Sequence, residues 1–381
     1  MKIMYRFYFL IPVLLGLQTL KTAAQKPEVS WQVILETKGE YNDLNRHSRV
    51  NPENVMNLRE FNSLTQLYPI LKFTDDFPLF RTTLQMEAGI RNYNFAQDST
   101  DFIFQELYIQ WSMRDKHYLV IGKKRLDWGT GTIWNPTNFF IQKDPLRTQN
   151  RLEGIFMINY TFLFAGSACN LYLFPDKDRK DFKFALKYEY TGNRFDASIS
   201  FLENGKYQQF GYDFAYGGNR FTLYAEGVWK NFTKSFRIRK DGSLTPPYAR
   251  KKKFRGEFVA GGSVNLSSRW SLLAEYRYRQ DYPDQRQMKW YSCHLPANPE
   301  LFDPVSMGRH SLFCNLGFTD LYDRWSVTCR AFFDPSSRQW TISPLGIWKM
   351  NNFQLELSAM GFGPSLSVYD LQTTLLISCY F

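Results

Sequence analysis

The sequence predicts an all-β chain: an antiparallel β-barrel that crosses a membrane with about 16–18 strands. Three observations predict it. Apolar and polar residues alternate with period two almost everywhere after residue 100, in runs of about ten residues, the length of a tilted strand crossing a bilayer. Aromatic residues make up 18% of the chain although its mean hydropathy is negative, the balance of a wall that is greasy on one face and wet on the other. The N-terminus reads as an export signal, with Lys2 and Arg6 ahead of an apolar run from Phe7 to Leu20 and the small residues Thr22-Ala23-Ala24.

The signal is expected to occupy 1–24, with cleavage at Gln25, leaving 25–381 as one barrel domain. Its apolar run is short of the roughly 20 residues of a spanning helix, and no later segment has such a stretch. The least regular strands are expected before residue 100, where Trp31 to Tyr41 and Leu67 to Thr74 alternate poorly. Asp181 to Tyr190 is the cleanest run: Phe182, Phe184, Leu186, Tyr188 and Tyr190 oppose Lys183, Ala185, Lys187 and Glu189. Arg194 to Phe201, Phe221 to Lys230, Trp270 to Arg279, Trp325 to Phe333 and Trp340 to Trp348 follow the same rule.

Connections come in two sizes. Gly192-Asn193, Gly217-Gly218, Ser267-Ser268 and Asp320 to Asp323 are short; Asn42 to Asn62, Asn135 to Gln149, Asn231 to Lys253 and Gln280 to Met307 are long. Tight turns at one end and long loops at the other are what a barrel in an outer membrane needs, with the long loops outside. The loop from Lys230 to Lys253 is strongly basic, which suits either a solvated rim or contact with lipopolysaccharide phosphates. The last thirteen residues, YDLQTTLLISCYF, alternate up to a terminal Phe381. This resembles the closing-strand signature of bacterial outer-membrane barrels, which implies a Gram-negative outer-membrane location and recognition by the barrel assembly machinery.

The net charge is +11, and loss of Lys2, Arg6 and Lys21 with the signal leaves +8. For an exported chain this points to anionic solutes or surface phosphates, not nucleic acid. The five cysteines show no CxxC spacing, the four histidines no metal-ligand spacing, and no GxSxG elbow occurs. His310 and Ser311 are neighbours in a strand and point to opposite faces, which disfavours them as a catalytic pair. A non-enzyme without cofactor or metal is expected.

A charged residue on the lipid face costs about 2–4 kcal/mol at mid-membrane for Lys or Arg, so Lys183, Lys187, Glu189, Glu226, Lys230, Glu275, Arg277, Arg279 and Arg330 are expected to point into the lumen. The segment Tyr118 to Phe140 departs most sharply from alternation: a strand breaks into Lys123-Lys124-Arg125, then Asp127-Trp128, two spaced glycines and Asn135-Pro136-Thr137-Asn138. It is expected to turn inward or to sit at the barrel's mouth, with Trp128, Trp134, Phe139 and Phe140 against the wall and Lys123, Lys124, Arg125, Asp127, Asn135 and Asn138 shaping the pore. Constriction and a structural tuck are both compatible with it. Gly122, Lys123, Arg125, Trp128, Gly129, Asn135 and Pro136 resemble a strand-loop motif of porin-like outer-membrane proteins of the alginate-export type, over about a tenth of the chain. The resemblance carries no polysaccharide ligand with it, because the Arg-rich lumen pattern of alginate exporters is not matched strand for strand. The inward-facing charges, in which bases outnumber acids, point instead to passive passage of polar, anionic or saccharide-like solutes; the alternative is a plugged barrel for surface interaction or secretion. Lipid, lipopolysaccharide and small solutes are the expected partners.

Overall fold

The computed structural model describes residues 28–45, 53, 59–76, 80–93, 100–126, 128–138, 154–175, 182–204, 207–232, 237–238, 244–245, 250–283, 285, 308–320, 322, 324–363 and 369–380. The proposed signal, Asp127, Phe139, Phe140, Cys293 and Phe381 lie outside these residues. Among the described residues, eighteen strands form one antiparallel sheet. In chain order they begin with β1 (Glu28–Leu44), β2 (Phe61–Asp76), β3 (Phe80–Tyr93), β4 (Thr100–Met113), β5 (His117–Lys124), β6 (Ile155–Phe164), β7 (Ser167–Pro175), β8 (Phe182–Thr191), β9 (Phe195–Asn204), β10 (Tyr207–Gly217) and β11 (Phe221–Phe232). A two-stranded ribbon, β12 (Arg237–Ile238) with β13 (Leu244–Thr245), stands apart from the sheet. The wall resumes with β14 (Arg250–Asn265), β15 (Trp270–Arg279), β16 (His310–Thr319), β17 (Trp325–Asp334), β18 (Gln339–Met350), β19 (Phe353–Gly363) and β20 (Tyr369–Tyr380).

The last strand pairs with the first. Ile34 of β1 faces Tyr380 of β20, and Gly39 faces Leu375. Closure leaves no row of unpaired N–H and C=O groups facing lipid, which an open sheet could not avoid. The even strand count sits at the top of the range expected from the sequence.

Alternation becomes inside and outside as expected. In β8, Leu186, Tyr188 and Tyr190 are exposed on the outer face, while Ala185 and Lys187 are buried on the inner one. In β11, Leu223 and Trp229 face out, and Tyr224, Glu226, Val228 and Lys230 face in. Ser311 is fully buried, whereas the His310 ring on the opposite face meets the Tyr276 hydroxyl at 2.7 Å. Several strands exceed the expected ten residues: β1 has 17, β2 has 16 and β14 has 16. At about 3.3 Å per residue a 17-residue strand is ~55 Å long, and even tilted it outreaches a ~25 Å apolar band, so its ends continue past the lipid.

At one end the connections are tight: 114–116, 165–166, 192–194, 218–220, 266–269, 320–324 and 351–352. Non-glycine residues with positive φ are placed there, including Arg114 (52°), Asp115 (52°), Ala165 (41°) and Asn351 (47°). The long connections 45–60, 125–154, 233–249 and 280–309 all leave the other end. Tight turns at one end and long connections at the other is the arrangement of outer-membrane barrels, in which the tight end faces the periplasm.

Candidate functional site

The chain leaves the wall at the end of β5. Gly122 has φ +132°, and a Cβ there would collide with the backbone of Leu107 and Tyr108, so only glycine fits beside β4 at this position. Residues 125–126 and 128–138 lie inside the barrel. Two apolar anchors fix them. Leu126 and Trp128 join Met157, Tyr172, Phe174, Ala185, Leu202 and Phe232 in a cluster on the inner faces of β6 to β11. Trp134 packs with Val259, Phe313 and Phe332 on β14, β16 and β17, edge-on to both phenylalanines at 6.3 and 6.4 Å. The segment thus reaches from one side of the wall to another.

Between the anchors, two carboxylates hold the backbone. Glu226 of β11 accepts the amides of Thr130 (3.0 Å), Gly131 (2.9 Å) and Thr137 (2.7 Å), and the Thr137 hydroxyl (2.6 Å). Glu275 of β15 accepts the amides of Thr132 (2.7 Å), Ile133 (3.0 Å) and Trp134 (3.1 Å), and the Tyr224 hydroxyl (2.5 Å). A loop away from secondary structure must find partners for its amides, and successive N–H groups converging on an anion are a favourable answer. Hydrogen bonds to a charged acceptor are worth about 1.5–3 kcal/mol each, though not additively. Gln209 of β10 adds a bond from its Nε2 to the Thr137 carbonyl at 2.7 Å. Gly129 (φ +87°) sits so close to Asn135 and Glu226 that a side chain there would displace one of them.

Cations stand against the segment's aromatic faces. The Lys187 ammonium lies 5.5 Å from the Trp128 ring centroid, and the Arg277 guanidinium 5.9 Å from that of Trp134. Each has a carboxylate too. Lys187 pairs with Glu189 at 2.5 Å; Arg277 and Lys230 share Glu257 at 2.5 and 2.6 Å. The trio carries two cations to one carboxylate and keeps a surplus positive charge. On the tight-turn side of the segment a cavity of about 800 Å³ opens between Gly129-Thr130 and the inner faces of β8 to β10, where Lys187, Glu189, Ser198 and Asp213 line it.

The other residues expected at the pore are spread over both faces of the wall. Lys124 faces inward, bonding Gln110 at 3.2 Å and lying over the Tyr108 ring at 4.7 Å. The Arg125 amide donates to Glu106 at 2.8 Å. Lys123 falls on the other face, with Ile121, its ammonium 5.9 Å from the Phe156 ring. The period-two rule puts neighbours in a strand on opposite sides, so Lys123 and Lys124 cannot both face the lumen. Asn138 is buried and its amide donates to the Asn135 carbonyl at 3.2 Å; Asn135 accepts the Thr137 hydroxyl at 3.5 Å. Lys183 shares the inner face of β8 with Ala185 and Lys187, Arg330 that of β17 with Phe332. Arg279 stacks on Tyr282 at 3.3 Å and donates to the Gly308 carbonyl at 2.9 Å. Asp127 lies outside the described residues. Glu257, Gln209 and Tyr224 complete the site unannounced by the segment's own sequence; Glu257 sits after a run of basic residues that hides the alternation of β14.

No family model matches the chain, and no curated protein matches it in sequence. Solved structures do match in fold. OccK1 (OpdK) of Pseudomonas aeruginosa superposes with a TM-score of 0.61 at 11% identity, over 93% of this chain and 98% of that one. OccK11 (OpdR) of the same organism gives 0.60 at 11% identity, over 93% and 96%. OccD1 (OprD), solved as a double variant, gives 0.57 at 8% identity, over 96% and 98%. The chain has the fold of these porin-like outer-membrane barrels.

Proposed function

We propose that this chain is an outer-membrane channel of a Gram-negative bacterium, through which small polar solutes, anionic or saccharide-like, diffuse past a constriction formed by residues 125–138. One observation carries the reading: the segment is held inside the barrel by Glu226 of β11 and Glu275 of β15, with β14 between them, and still leaves an open cavity of about 800 Å³ on its tight-turn side. A pinned loop beside open space narrows a channel, whereas a plug would fill it. Arg277, Lys230 and Lys187 beside aromatic faces suit a solute with a carboxylate and a flat apolar part. OpdK has been solved with vanillate, a compound of that kind. Saccharide-like solutes remain candidates because charged side chains in the lumen also hydrogen-bond neutral polar groups. In this reading the chain performs no catalysis, its terminal strand addresses the assembly machinery, and 1–24 are removed on export.

The test is conductance of the purified protein in planar bilayers. Discrete steps with a reversal potential favouring anions support the proposal. Absence of steps points to the plugged alternative, and cation preference removes the anionic solute class.

A further inference from the structure

The tight end of the barrel repeats one sequence feature. Four turns end in arginine followed by an aromatic residue: Gly192-Asn193-Arg194-Phe195, Gly218-Asn219-Arg220-Phe221, Ser267-Ser268-Arg269-Trp270 and Tyr322-Asp323-Arg324-Trp325. They join β8 to β9, β10 to β11, β14 to β15 and β16 to β17, four hairpins in succession round the wall. Their backbones are tied alike. Each arginine carbonyl accepts an amide from the next hairpin: Gly217 for Arg194 (2.8 Å), Asn265 for Arg220 (2.8 Å), Thr319 for Arg269 (3.0 Å) and Lys349 for Arg324 (2.6 Å). The four residues consequently stand at one level along the barrel axis, hairpin to hairpin about 10 Å apart. All four are exposed, and among the described residues none is in an ion pair. Arg324 lies over the Tyr322 ring at 5.6 Å.

The partnering aromatic residues mark a depth. Phe221, Trp270 and Trp325 are exposed on the outer face, and they belong to a band of touching rings: Phe195 with Phe214 at 4.7 Å, Tyr216 with Phe221 at 5.9 Å, Trp270 with Phe318 at 4.9 Å, and Phe318 with Trp325 at 5.2 Å. Such a band lies where hydrocarbon gives way to headgroups. An arginine one residue beyond it, about 3.3 Å further along, is at headgroup level. The feature is one-sided. The turn at Ala165-Gly166 has no cation, nor has the one at Asn351-Asn352, and in Arg114-Asp115-Lys116 a carboxylate separates the bases. Nearby, Asp320 accepts the Trp325 amide at 3.1 Å and Asp196 lines the inner cavity.

We propose that this arc binds anionic phospholipid of the inner leaflet, the guanidinium groups receiving its phosphodiesters and the aromatic band the region just below. A planar guanidinium matches a phosphate with two parallel hydrogen bonds. A zwitterionic lipid brings its own ammonium to that phosphate; phosphatidylglycerol does not, so the arc discriminates between them. The annulus is enriched on the β8–β17 side only.

The experiment is native mass spectrometry of the detergent-solubilised barrel offered equimolar phosphatidylglycerol and phosphatidylcholine. Wild type is expected to retain the anionic lipid by about five-fold or more, the factor one arginine near an anionic surface gives. A variant with Arg194→Gln, Arg220→Gln, Arg269→Gln and Arg324→Gln is expected to lose the preference, while Arg114→Gln with Lys349→Gln keeps it. Equal retention by the wild type, or an undiminished preference in the fourfold variant, overturns the proposal. A second measurement needs no variant: brominated phosphatidylglycerol should quench tryptophan fluorescence of the reconstituted barrel more than brominated phosphatidylcholine does, and equal quenching overturns it as well.

Discussion

Glu226 and Thr137 are joined twice, the carboxylate accepting the threonine amide at 2.7 Å and its hydroxyl at 2.6 Å. Through this pair a wall strand holds the far end of the inward segment. Glu226→Gln replaces an acceptor-only group by one that presents two donors to a cluster of amides. The variant is expected to keep the barrel but lose about 1–3 kcal/mol of loop anchoring, seen as flickering and raised conductance in single-channel recordings. Traces matching the wild type would show that the segment stays seated without this carboxylate.

Gly129 offers an independent route to the same effect. A residue with φ +87° is costly for anything but glycine, by about 1–3 kcal/mol, and here a Cβ also meets Asn135 and Glu226. Gly129→Ala should reproduce the conductance change of Glu226→Gln. Gly361→Ala, where a Cβ would meet nothing within 4 Å, is the silent control.

The trio of Lys230, Glu257 and Arg277 makes opposite predictions for opposite charges. Removing the shared counter-charge in Glu257→Gln leaves two cations beside the constriction and should raise anion selectivity, read as a shifted reversal potential in a salt gradient. Arg277→Gln should lower it. If both variants move selectivity the same way, the trio does not face the permeation path.

The two faces of β19 can be separated by heat. Leu357 is 55% exposed on the outer side, and Leu357→Lys should cost about 2–4 kcal/mol in lipid, lowering the temperature at which the folded band disappears on gels. Ser358→Lys next to it points toward the lumen with Glu356 and should be tolerated. Equal losses from both would contradict the assignment of inside and outside.

Fold and site were legible to different degrees, for physical reasons. Alternation is a local property, so Leu186 against Lys187, or Trp229 against Lys230, can be read within one strand. The same rule puts Glu226 and Glu275 inside. Their work on the amides of 130–137 was hidden, because the partners lie 89 to 143 residues away in the chain. Lys123 shows the reverse: a basic triplet looks like one feature, yet neighbours in a strand are sent to opposite faces. The poorly alternating stretches before residue 100 still pair in full register, Glu28 with Thr74 through to Tyr41 with Phe61, because pairing along a closed wall does not need a strong pattern in every strand.

The seam between β1 and β20 sets an order of events. Each strand has one neighbour already, β2 for β1 and β19 for β20, but the bond across the seam waits for the last residues of the chain, and the acceptor for the Thr132 amide lies 143 residues further along. The Glu226 half of the segment's anchorage needs only β11, and the Glu275 half needs β15 as well. When the two ends of the chain finally zip together they lock it indoors, so a barrel that closes too early has no way to collect its own constriction.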